Sequence, residues 1–508
     1  VTVSATHKQK IFQTLVLLCI GIAVFYYRYR LLLAYSFLNT DSDQNIMWGG
    51  LKDYASGVFR EPRFYGQNYN SFLEALLAVP LFQLGYKPYT ALPFVSMCLS
   101  IFPFYYLAFL SLYKRSVFYA IIIMSMPLLL PFEYGVITSM PRGFVTGMPF
   151  AALALTAIYF DTEQRFLFMS GFFSVLAFSI NSNVALLVAP AMIYLLMLNW
   201  KSKRYYVQMG AGLLFGFSLH WAAAHFYQSH PFYNVHPLQL HGSWELMVKG
   251  LRHPDVFLNY NSPIFWQHGA LWLLVMVLFG VFFLWQKKVN SAIAVFAMLL
   301  LLCASFAIGK IYDGTNSLYF HTARMYLAFP LLIVFCFALA KPQYEPPMMY
   351  WVLLLPNYFF HTQLDNMEKS IKDLIAAKAN DVVIVSAVKP IVDDCLRLNG
   401  VAKKYHVDLF VVVNHFYADA YASGCSACVE GFPRTLQSNF ERRTWRLLED
   451  EKITYPTVMF IDMYQKLDTV NRLLKKLPDA RDLYLAAHNT LPTMRLLDSL
   501  HVPYRRFK

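Results

Sequence analysis

Apolar runs recur along most of the chain, at roughly 11–30, 89–112, 116–133, 143–160, 166–181, 183–199, 205–227, 267–286, 290–309, 323–340 and 347–361. Each predicts a helix, and most approach the ~20 residues that an α-helix needs to cross a bilayer. Between the first two runs lies a longer polar and aromatic stretch, 31–88. It contains one further apolar piece, FLEALLAVPLFQLGY (72–86), which carries Glu74 and is interrupted by Pro80. That pattern predicts a helix along the membrane interface, not across it. The basic residues agree. With Lys8 and Lys10 in the cytoplasm, alternation puts Lys114, Arg115, Arg165, Lys201, Lys203, Arg204, Lys287, Lys288 and Lys341 there too, as short cytoplasmic loops prefer. Counting 72–86 as a span breaks this agreement from Lys114 onward. The stretches 31–88, 228–266 and everything after 361 are then outside.

The pattern changes near 380. Short β-rich runs, DVVIVSA (381–387), VDLFVVVN (407–414), TVMFID (457–462) and DLYLAAH (482–488), alternate with helical stretches near 390–404, 435–450, 465–476 and 491–500. Alternation of this kind predicts a parallel sheet covered by helices. Residues 1–362 therefore read as a transmembrane domain, 363–379 as a linker, and 380–508 as a doubly wound α/β soluble domain. SAVKP (386–390) follows the first strand where a dinucleotide-binding fold has a glycine-rich turn, which argues against such a cofactor. No internal repeat is visible, and no inverted pair of Gly- or Pro-broken helices points to a secondary transporter.

Composition fits this reading. Of 508 residues, 57% are hydrophobic and 14% charged, against about 25% charged in soluble domains. The 44 Phe, 34 Tyr and 9 Trp suit a protein anchored by rings at two interfaces. The net charge of +13 sits largely in short loops between apolar runs, so it favours anionic lipid and not nucleic acid. The expected fold is a polytopic α-helical membrane protein of about eleven spans with an extracytoplasmic C-terminal domain. The first run reads as a retained helix, not a cleaved signal. Cys19, Cys98, Cys303 and Cys336 lie in apolar runs and read as small buried hydrophobes. C-S-A-C (425–428) admits three chemistries: a local Cys425–Cys428 disulfide, favoured on an oxidising side; zinc with Cys395 and His415; or thiol redox.

The candidate chemistry begins at DSDQN (41–45), a pair of acids just where the chain leaves the first apolar run. Asp41 and Asp43 read either as a solvated helix terminus or as carboxylates at headgroup depth, placed to act on a lipid-borne group. The stretch D-Q-x-I-M-W-x-G-x-K-D…G…P-R-F-Y-G-Q-x-Y…L-E-A-L-L-A-V-P-L-F…G (43–85) resembles the first external loop of GT-C membrane glycosyltransferases. The similarity is to the branch of protein mannosyltransferases and lipid A aminoarabinose transferases. Asp43–Gln44 stands where that branch usually has Asp–Glu, with Asp41 supplying a D-x-D arrangement that leaves dependence on a divalent metal (Mg or Mn) open. Further along, PLLLPFEYG (127–135) ends the third run with Glu133, SMPRGF (139–144) carries Arg142 at the start of the fourth, and HTARMYLAFPLL (321–332) resembles the family's late R-Y-L-x-x-x-P-L-L segment.

The resemblance implies transfer of a sugar from a polyprenyl-phosphate-linked donor to a hydroxyl of a glycan, lipid or protein acceptor, at the extracytoplasmic face of a bacterial inner membrane. Asp43 is the implied base, with Asp41 and Glu133 assisting it or binding metal. Arg324 binds the donor phosphate, Arg142 and His321 help to bind substrate, and Tyr65, Gln67 and Glu74 shape the pocket. In the 228–266 loop, Trp244 and Tyr233 are candidates for stacking on sugar rings. The tail is a candidate surface for a protein partner. Alternative functions are oligosaccharide transfer from a lipid pyrophosphate, lipid-linked-sugar transport and a non-catalytic scaffold.

Overall fold

The computed structural model describes residues 2–65, 67, 69–114, 116–160, 164–230, 241–314, 318, 321–340, 354–377, 386–405, 409–414, 424–432, 434–437, 457–462, 483–487 and 505–506. The chain divides into two compact units. One comprises Val1–Ser36, Phe94–Ala222 and Gln239–Val383; the other comprises Phe37–Pro93, Ala223–Leu238 and Ile384–Lys508. The external loop expected at 31–88 thus groups mostly with the C-terminal region.

The first unit is mostly helical among its described residues. Four segments, Ile11–Ser36, Pro88–Lys114, Ser182–Asn199 and Thr322–Ala340, are long and apolar enough to cross a membrane, as in a membrane protein. Val117–Leu129, Gly147–Tyr159, Arg165–Ile180, Gly269–Trp285 and Val289–Ser305 are apolar but shorter. Helix Thr2–Leu31 packs on Val117–Leu129, and Leu354–Ala377 packs on both. Phe329–Ala340 buries eleven of its twelve residues, so it belongs to the core of the unit. Lys203–Ser229 instead turns Leu214, Phe217 and Trp221 outward, and approaches its neighbour through glycine. A Cβ on Gly216 would sit 2.8 Å from the Val175 Cβ and 3.0 Å from the Phe172 carbonyl oxygen.

Three local expectations are corrected. The third apolar helix stops at Leu129, before Pro131, and Glu133 begins a separate short helix, Phe132–Ile137. Arg142 does not open the fourth helix, which starts at Gly147; Gly143, at φ 77°, holds the chain in a left-handed conformation that an α-helix excludes. Residues 363–377, expected as linker, continue the helix Leu354–Ala377.

In the second unit, helix Ser42–Ala55 packs on Leu73–Gln83. The latter has eleven residues, about 16 Å at the usual rise, far short of a ~30 Å hydrocarbon core. Toward the C-terminus, five strands pair in parallel in the order Arg434–Gln437, Thr457–Asp462, Leu409–Asn414, Leu483–Ala487, Arg505–Arg506. Residues 434–437 are strand where a helix near 435–450 was expected, and 438–450 lie outside the described residues. The helix expected near 390–404 is Val388–Tyr405; those near 465–476 and 491–500 lie outside the described residues. Ser386–Ala387 does not join the sheet. It pairs antiparallel with Asn39–Thr40, immediately before the acids.

Candidate functional site

Asp41 and Asp43 have different surroundings although they are two residues apart. Asp41 is buried and is the N-cap of helix Ser42–Ala55. Its Oδ1 accepts from the Gln44 backbone N–H at 3.1 Å and its Oδ2 from the Gln44 side-chain amide at 2.7 Å. An aspartate there satisfies a helix N–H that otherwise has no partner within the helix. Asp43 lies in the first turn of the same helix, where the helix dipole favours negative charge. It is half-buried, and among the described residues no hydrogen bond or ion pair engages its carboxylate. One acid builds the helix start and the other is presented by it.

Downstream, Tyr65 is buried and its hydroxyl donates to Asp53 Oδ2 at 3.1 Å, while Arg60 Nε donates to the same oxygen at 2.9 Å. Burial, and then the negative charge of Asp53, push the Tyr65 hydroxyl far above its ordinary range, so it remains a donor. The Tyr65 ring lies 4.2 Å from that of Phe72, which also stacks on Phe64 at 4.9 Å. Gln67 is half-buried; its carbonyl accepts from the Tyr227 hydroxyl at 3.3 Å, and Tyr227 donates to Glu61 Oε2 at 3.0 Å. Glu74 is fully buried. Within the second unit, Tyr65 and Glu74 are thus buried and Gln67 is half-buried. The sequence reading missed Asp53, Arg60 and Glu61, whose signal was the density of charged and aromatic residues between 52 and 65, and Tyr227, which is 166 residues from Glu61 and had no local signal.

The C-terminal region grips the same helix. Val388 N–H donates to the Leu38 carbonyl at 2.9 Å beside the Asn39–Thr40 pairing. The Lys52 ammonium donates to the Ser426 carbonyl, and Gly424 lies against Trp48 and Asn45, where a Cβ would be 3.5 and 3.6 Å away. The disulfide joins Cys425 to Cys395, not to Cys428. Cys395, on helix Val388–Tyr405, brings its Cα to 5.1 Å from that of Cys425, within the span a disulfide bridges. Cys428 is buried, and burial pushes its thiol up to about 11. His415, the other zinc candidate, lies outside the described residues.

The first unit holds Glu133, Arg142, His321 and Arg324. Arg142 and Arg324 are both buried. Their guanidinium carbons lie 6.0 and 5.9 Å from the centroid of one ring, Phe144, so two cations share one aromatic neighbour. Arg324 is in the 3-10 turn Thr322–Tyr326; it donates to the His321 carbonyl at 3.1 Å and to the Asp313 carbonyl. His321 caps that turn: its Nδ1 accepts from Ala323 N–H at 3.0 Å. Burial, and then Arg324, lower its imidazole to about 4, so Nδ1 stays free of a proton and able to accept. The Tyr260 ring is 4.6 Å from His321, and the charge of Glu133 reaches Tyr260. Burial raises the Glu133 carboxyl to about 7. Glu133, Tyr260, His321 and Arg324 thus form one neighbourhood.

At the acids, both Asp41 oxygens are engaged by Gln44, and among the described residues no three His, Cys, Asp or Glu side chains gather as a ligand set. Tyr233 of the 228–266 loop lies outside the described residues, while Trp244 is exposed at the start of helix Trp244–Arg252. No protein-family model matches this chain, and no curated protein sequence is significantly similar to it.

Proposed function

We propose that the protein is a GT-C-type membrane glycosyltransferase that moves a sugar from a polyprenyl-phosphate-linked donor to a hydroxyl of a glycan, lipid or protein acceptor. The observation that supports it most is Asp43: a carboxylate free of competing hydrogen bonds among the described residues, on a capped helix start, within the stretch 43–85 that resembles the family's first external loop. In this reading Asp43 removes the acceptor proton as the acceptor oxygen bonds to the anomeric carbon, and the bond from that carbon to the donor phosphate breaks. Arg324 and Arg142 bind the phosphate. Two guanidiniums around one ring suit an anion, because each offers forked donors and permanent charge. Asp41 is a positioning residue, Glu133 and His321 line the neighbourhood of Arg324, and no step runs through a metal. The Cys395–Cys425 disulfide suits an oxidising compartment, in keeping with an extracytoplasmic tail on a bacterial inner-membrane protein.

The test is a transfer assay with purified protein and a panel of polyprenyl-phosphate sugars and oligosaccharide pyrophosphates, each with and without chelator. Carrier-dependent sugar release that survives chelation is the expected result. Failure on every monosaccharide donor sinks the proposal, and chelator-sensitive turnover of a pyrophosphate donor replaces it with oligosaccharide transfer.

A further inference from the structure

Helix Trp244–Arg252 lies in the chain between helix Lys203–Ser229 and the apolar helix Gly269–Trp285. Its inner side is seated closely. A Cβ on Gly250 would lie 2.7 Å from the Phe306 Cβ and 2.8 Å from the Tyr312 hydroxyl, and that hydroxyl donates to the Leu246 carbonyl at 2.5 Å. Its outer side is open: Trp244 is 73% exposed and Leu251 43%. A groove of about 370 Å³ runs along it, lined by Trp244, Glu245, Val248, Lys249, Arg252 and His253. Two permanent cations and a histidine face one carboxylate there. Arg252 makes no hydrogen bond or ion pair among the described residues, and Lys249 only approaches the Tyr312 ring, at 5.7 Å.

A short helix with a tryptophan and aliphatic side chains beside lysine and arginine is suited to the membrane interface, where rings sit at headgroup depth and cations meet phosphate. We propose that this groove binds the headgroup of an anionic membrane phospholipid, with Arg252 and Lys249 on the phosphate and Trp244 and Leu251 in the glycerol–acyl boundary. An acidic glycan would match the cations but would leave Trp244, Leu251 and the half-exposed Val256 in water. The inference rests on the membrane character of the chain and not on the proposed transfer reaction.

The experiment uses the full chain in phosphatidylcholine nanodiscs with and without phosphatidylglycerol. Lipid retained after extraction is counted by native mass spectrometry for wild type and for Lys249→Gln/Arg252→Gln, whose substituted side chains are exposed. The expected result is a loss of retained phosphatidylglycerol on the order of tenfold in the double variant, with phosphatidylcholine unchanged. The emission lost in Trp244→Phe identifies the Trp244 contribution, which brominated phosphatidylglycerol should quench. Equal retention by wild type and double variant overturns the proposal. So does a Trp244 signal quenched by aqueous iodide but not by brominated lipid, or one that responds to an acidic oligosaccharide in place of lipid.

Discussion

Replacing Asp41 by asparagine or by alanine separates a structural from a chemical role for this acid. Asp41 accepts two hydrogen bonds from Gln44, one from the backbone and one from the side chain. Asparagine keeps the backbone cap through its carbonyl oxygen, and a rotated Gln44 amide can accept from its NH₂. Alanine loses both bonds. A lost cap costs about 1 kcal/mol, and the loss of a second bond to a charged acceptor brings the local cost to about 2 kcal/mol. That corresponds to roughly thirtyfold more opening of the first turn, the turn that carries Asp43. Hydrogen exchange of a peptide spanning 41–55 reads the opening directly, and the transfer assay reads its consequence. Asp41→Asn should leave exchange and turnover within about threefold of wild type, while Asp41→Ala accelerates exchange by roughly thirtyfold and lowers turnover about tenfold. Turnover abolished in Asp41→Asn with unchanged exchange would instead mean that the charge of Asp41 itself is needed for transfer.

Glu133, raised to about 7 from 4.5 by burial, holds a proton in the folded state that the unfolded chain has released, so stability falls as pH rises through that window. Glu133→Gln should remove the slope, and thermal unfolding at pH 5, 6, 7 and 8 should show the variant gaining on wild type as pH rises; a constant gap contradicts the assignment. Arg324→Lys cannot reproduce the forked contacts to the His321 and Asp313 carbonyls and should raise the KM for donor about tenfold or more, consistent with a loss near 1.5 kcal/mol; an unchanged KM removes Arg324 from donor binding. Cys395→Ser frees the 424–428 turn from helix Val388–Tyr405, and hydrogen exchange should rise around Trp48 and Lys52 on helix Ser42–Ala55; unchanged protection there would mean that the turn holds without the disulfide.

The helices were legible because hydrophobic patterning is local. A long apolar run declares itself, and every such run within the described residues falls on helix. The ends were less legible. Pro131 and Gly143 moved Glu133 and Arg142 off the helices expected to carry them, since one proline or one left-handed glycine resets a boundary that periodicity leaves loose. Asp41 and Asp43 drew attention as a pair, but their difference depends on which residue caps the helix, and that turns on Gln44, three residues after Asp41. The partner of Cys425 was hidden for another reason. Cys395 is 30 residues distant along the chain, and no local spacing encodes a pairing made by two elements folding against each other. The antiparallel pairing of Asn39–Thr40 with Ser386–Ala387 has the same long-range origin, and so does the grip of the C-terminal region on the acid-bearing helix.

The role of Asp43 as base is tested by comparing wild type, Asp43→Asn and Asp43→Glu in the transfer assay with donor saturating. Removal of a general base typically lowers turnover by 10²–10⁴-fold, roughly. Asp43→Asn should lower kcat by that amount, with partial recovery in Asp43→Glu and unchanged hydrogen exchange across 42–55. An Asp43→Asn protein that keeps wild-type turnover would contradict that role.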